Sequence, residues 1–132
     1  MIEEPRSSCP INRTLEILGD HWSLVILRDI ALHNRRRFRE LLTENAERIS
    51  APVLSRRLAS LVEAGLLSKS EVARGAAGRY SLTEIGIQTV PLMYELARLG
   101  TILDPSASET TADRDPAAAE AQMERLRSAH LG

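Results

Sequence analysis

Cysteine is nearly absent from this chain of 132 residues. Cys9 stands alone, which excludes an internal disulfide and any zinc site built from cysteines. Aromatics are equally scarce: one Trp, two Tyr and one Phe offer little surface on which the bases of a single strand could stack. The longest clean apolar run, Leu24-Val25-Ile26-Leu27, is far short of the roughly 18 residues that a membrane span needs. Residues 1–8 carry Glu3, Glu4 and Arg6 where a secretory signal would be apolar, so the expectation is a cytoplasmic protein without a membrane partner. No Gly-rich phosphate loop, Ser-His-Asp order or nucleophile elbow is present, and His21, His33 and His130 share no metal-ligand spacing. These absences argue against an enzyme, a metal and a cofactor.

What remains is 43% apolar and 27% charged, the make-up of one compact domain with its own core. The net charge of −1 conceals a division along the chain. Residues 1–100 carry +2 and residues 101–132 carry −3. The segment 28–79 holds 11 basic residues against six acids, a local charge of +5, and all but one of its basic residues are arginine, the better fork for phosphates and guanine edges.

Apolar periodicity orders the elements. Ile11, Leu15 and Leu18 mark a short helix closed by Gly19-Asp20, and residues 21–31 are apolar on two stripes, which makes this second helix the centre of the core. A polar turn, His33 to Arg37, precedes a third short helix with Phe38, Leu41 and Leu42 inward. Ser50 caps a fourth, with Pro52 in its first turn and Leu54, Leu58, Leu61 and Val62 on its buried face, until Gly65 stops it. Residues 66–72 and 78–82 are strand-like, with an Ala/Gly-rich hairpin tip between them. Thr83 opens a long helix to Leu103, kinked at Pro91; Ile85, Leu92, Leu96 and Leu99 lie on one side and Val90, Met93 and Ala97 on the other. Two apolar faces need two partners, so Leu92, Leu96 and Leu99 are candidate homodimer residues. The division expected is 1–103 as the domain with its dimer helix, 104–115 as a polar linker, and 116–132 as a C-terminal helix packed on the dimer partner.

Two helices joined by a short polar turn and followed by a basic hairpin make a mainly α winged helix-turn-helix with a small β-hairpin wing, dimerising through terminal helices. In that layout the N-terminal turns of the fourth helix enter the major groove of double-stranded DNA while the hairpin reaches the backbone beside it. Ser50, Pro52, Ser55 and Arg56 face outward, with Arg57 further round. Arg56 has the geometry to fork onto guanine, and Arg37, Arg74 and Arg79 are the candidates for phosphates.

Cys9-Pro10-Ile11, Thr14 to Gly19, Trp22 to Arg28 and Arg37-Phe38-Arg39-Glu40-Leu41, followed in order by Ile49-Ser50, Gly65-Leu66, Tyr80-Ser81-Leu82-Thr83 and Gly86, resemble the HxlR-type transcription regulators of bacteria, part of a MarR-like superfamily. The resemblance implies a homodimeric DNA-binding protein on a palindromic operator, a repressor or less often an activator, released by an oxidant, an electrophile or a small-molecule inducer. Some regulators of this type sense oxidants through the cysteine at the place of Cys9. Cys9 thus has two readings: a redox sensor favoured by a helix N-terminus and nearby Arg6 and Arg13, or a small packing side chain. A different class of function, a winged-helix module that holds a protein partner without specific DNA binding, fits the same fold.

Overall fold

The computed structural model describes residues 4–70, 78–107 and 116–132. Its elements run α1 (Pro10–Leu18), α2 (Ser23–His33), α3 (Phe38–Thr43), α4 (Ala51–Glu63), β1 (Leu67–Lys69), β2 (Tyr80–Leu82), α5 (Glu84–Ile87), α6 (Val90–Leu103) and α7 (Pro116–Leu131). This is a winged helix. The strands pair antiparallel with Leu67 opposite Leu82 and Lys69 opposite Tyr80, and an isolated bridge between Arg37 and Arg79 adds the segment before α3 to the sheet. No helix among the described residues is long and apolar enough to cross a membrane.

The core is assembled on α2, as its two apolar stripes require. Ile26, Leu27 and Ile30 are buried against Leu41 of α3, Leu54, Leu58 and Leu61 of α4, Leu67 and Leu82 of the strands, and Ile87 and Val90 beyond them. Each fully buried Leu or Ile contributes roughly 1.5–3 kcal/mol. Trp22, Leu24 and Phe38 pack against this cluster while half-buried.

Two expectations need correction. The helix foreseen from Thr83 to Leu103 is two helices, because Pro91 lacks an N–H and is accommodated in the first turn of a new helix rather than as a kink. Thr89 marks the break, its hydroxyl donating to the Gly86 carbonyl at 2.6 Å. Val62, placed inward by periodicity, is exposed and lines a groove between α4 and the strands. Elsewhere in the fold, α1 buries only Leu18, and Ile11 and Leu15 face outward. The C-terminal helix α7 packs along its own chain. It lies along α5, α6 and β2 with Ala119, Met123 and Leu126 buried, and Gln122 Nε2 donates to the Ala31 carbonyl at 3.0 Å. Its weak apolar stripe is helped by polar ties at Gln122 and near its C-terminal end, which periodicity does not reveal.

Candidate nucleic-acid interface

The helix expected to read DNA begins at Ser50, whose extended backbone and side chain cap it: Ser50 Oγ accepts from Val53 N at 3.4 Å. Because Leu54, Leu58 and Leu61 are drawn into the core, the opposite face of α4 turns to solvent with Ser50, Pro52, Ser55 and Arg56 exposed along it. Arg56 has no partner among the described residues. Arg57 differs. It is half-buried and paired with Asp20 at 3.7 Å, so it braces α4 against the loop between α1 and α2.

Beside α4 the wing is joined to α3. Tyr80 N donates to the Arg36 carbonyl at 2.7 Å, and the backbone groups of Ser70 and Arg79 continue the ladder at 2.9 Å. Arg37 and Arg79 are both exposed and form an isolated backbone bridge, so the two phosphate candidates stand opposite each other. Arg74 lies outside the described residues. An open groove of about 390 Å³ between α4 and the wing is lined by Ser55, Ala59, Val62, Glu63, Lys69 and Tyr80, and the Lys69 ammonium lies 5.6 Å from the Tyr80 ring centroid. Gly78 leaves room for this arrangement, since a Cβ there would meet Lys69 Cε at 2.7 Å.

Three residues that periodicity did not single out hold the interface in shape. Asp29 is a carboxylate with only 1% exposure, bonded by Arg28 and faced by Arg35 at 3.4 Å. Arg28 forks between Asp29 and Glu47, and its hydrogen bond holds the Glu47 carboxyl below its ordinary pKa. Arg36 is 6% exposed and has no ion pair among the described residues. Its guanidinium donates to the Tyr80 carbonyl at 2.9 Å, to Ser81 Oγ and to the Ala129 carbonyl at the end of α7. There His130 Nδ1 accepts from Leu82 N at 2.9 Å. A further arginine, Arg48, stands exposed two residues before the Ser50 cap of α4 with a left-handed backbone (φ 62°). A run of arginines is all that sequence shows here; which are buried depends on the sheet formed by residues far along the chain.

Cys9 is exposed and occupies the N-cap position of α1, ahead of Pro10. Its N–H donates to Ser7 Oγ at 3.3 Å. Leu92, Leu96 and Leu99 form an exposed apolar row on α6, with Ile102 and Leu103 beyond it. No group of three or more His, Cys, Asp or Glu able to hold a metal occurs among the described residues.

Comparison with known proteins accords with this geometry. The HTH-type transcriptional regulator Rv3095 of Mycobacterium tuberculosis (strain ATCC 25618 / H37Rv), itself uncharacterized, is 39% identical over 77 residues, which cover 58% of this chain and 47% of the relative. The chain thus spans about half the length of the curated relatives it matches. Among solved structures, PA1607, described as a transcription factor, superposes with a TM-score of 0.71 at 31% identity, covering 84% of this chain and 78% of the other. The reduced form of the regulator YodB from B. subtilis superposes with a TM-score of 0.59 at 25% identity, covering 76% of this chain and all of YodB. Residues 17–106 match the family model described as HxlR-like helix-turn-helix, and the chain belongs to that family.

Proposed function

We propose that this protein is a homodimeric transcription regulator that binds a palindromic site in double-stranded DNA and represses from it. The observation that carries the reading is the solvent-facing side of α4, where Ser50, Pro52, Ser55 and Arg56 line up beside the exposed Arg37 and Arg79 of the wing root. A helix presenting small polar groups and, in Arg56, a guanidinium without a partner among the described residues suits major-groove edges, and the flanking arginines suit phosphates. The family is one of helix-turn-helix regulators, not of enzymes, which supports the same reading.

Titration of duplex DNA at several salt concentrations tests it. A protein touching about six to ten phosphates loses about 10³–10⁵ in affinity between 50 and 200 mM salt and still prefers a site selected from random sequence. Equal affinity for selected and random duplex, with a flat salt response, refutes DNA reading and leaves a winged-helix module for a protein partner.

Release from DNA is assigned to oxidation or electrophile attack at Cys9. Its exposure at the N-cap of α1 and the likeness to YodB, a regulator described in a reduced form, support this. With no second cysteine in the chain, the product is an intersubunit disulfide, a mixed disulfide or an adduct. Diamide is expected to release the unsubstituted protein from DNA and to leave Cys9→Ser bound; an identical response of both sinks the assignment.

A further inference from the structure

The turn that delivers α4 is strained and held from beneath. Arg48 has φ 62°, a left-handed backbone that costs a residue with a side chain and persists only where its surroundings enforce it. The enforcing group is Asn45, 8% exposed at the start of the same turn. Its Oδ1 accepts from Ile49 N at 2.9 Å, and its backbone carbonyl accepts from Arg48 N at 3.4 Å, so the strained residue is closed in on both sides. Asn45 is itself fixed from the core: its Nδ2 donates to Asp29 Oδ2 at 3.1 Å and to Glu47 Oε1 at 3.3 Å. Asp29 in turn is immobilised by Arg28 and Arg35, which also pair with Glu47 and Glu44 respectively.

A chain of directional bonds therefore runs from the middle of α2, through Asp29 and Asn45, to Ile49 N, one residue before the N-cap of α4. We infer that Asn45, anchored by Asp29, is a positioning residue for DNA reading: it sets the angle and register at which Ser50, Pro52, Ser55 and Arg56 meet base edges. The inference rests on the DNA reading above and goes beyond it by separating two quantities. Attraction to phosphates is assigned to Arg37 and Arg79 at the wing root, to which Asn45 makes no bond, and charge attraction tolerates small displacements. Base recognition depends on fork geometry and does not. Asn45 therefore governs the preference between sequences and leaves the affinity for random duplex alone.

The test compares Asn45→Ala with the unsubstituted protein on a duplex selected by the latter and on a random duplex, with circular dichroism to verify folding. Asn45→Ala is expected to lose about tenfold or more on the selected site. On random duplex its affinity and salt slope stay the same. A folded Asn45→Ala that keeps the ratio of the two affinities overturns the inference, as does a parallel loss on both duplexes, which is the mark of a merely structural role. Hydrogen exchange on the unsubstituted protein decides independently of any variant: the Ile49 amide is expected to exchange as slowly as the amides in the middle of α2, and free exchange overturns the positioning bond. Should the unsubstituted protein itself show no preference, the DNA reading falls and this inference with it; should the preference exist and survive in Asn45→Ala, this inference falls alone.

Discussion

Arg56 and Arg79 have the same side chain and opposite expected roles, because one stands on the reading face of α4 and the other on the wing root. Arg56→Ala is expected to cost about 1–3 kcal/mol on a selected site and to relax one position of the half-site. Arg79→Ala should weaken all duplexes alike and lower the salt slope by about one. Binding titrations on selected and random duplex separate the two. His130 is a second residue whose surroundings define its effect. Burial, and then the positive charges of Arg36 and Arg79, push its pKa down from 6.5 to about 4. The folded state thus holds a neutral imidazole that the unfolded chain would protonate, so between pH 6.5 and about 4 the unfolded chain binds more protons and folding stability falls as the pH drops. His130→Gln is expected to flatten that decline, read as the fall in melting temperature from pH 7 to pH 5; an equal fall in both proteins contradicts it.

Among the elements, those with strong apolar periods were legible and those set by distant backbone were not. The fourth helix, its Ser50 cap and its inward Leu54, Leu58 and Leu61 follow from spacing alone. The burial of Arg36 does not, since it depends on Tyr80 and Ala129, each more than 40 residues away. Nor does the break between α5 and α6, where one apolar pattern runs through two helices. The same distant geometry explains Gly86. A Cβ at this position would lie 2.2 Å from the Leu66 carbonyl oxygen, a backbone atom that cannot step aside, whereas Gly65 has open space and only its φ of 85° to protect. Gly86→Ala should therefore separate α5 from the start of β1 and cost about 1–3 kcal/mol by overpacking. Gly65→Ala should cost about 1–2 kcal/mol from backbone strain alone. Urea midpoints measure both, and a Gly86→Ala protein as stable as the parent would show that the two segments approach less closely.

For the whole molecule, the decisive surface is one that the single chain leaves uncovered. Leu92, Leu96 and Leu99 remain 36%, 43% and 44% exposed on α6, Ile102 and Leu103 more so, while the other side of the same helix is sealed by Val90 and Met93. An apolar row of this kind at the end of a folded domain is covered in the proposed homodimer, and a twofold pairing through it would carry two copies of α4 to half-sites about one helical turn apart, roughly 34 Å. The unsubstituted protein is then expected to sediment as a dimer at micromolar concentration. Leu96→Glu places a carboxylate in the middle of the row, where pairing would bury it without a partner, and it leaves the domain core untouched because Leu96 is not part of it. The expected product is a folded monomer that keeps the circular dichroism of the parent, binds a single half-site weakly and gains nothing when the second half-site is added to the duplex. A parent protein that sediments as a monomer, or a Leu96→Glu protein that still gains from the second half-site, would place the dimer contact elsewhere than α6.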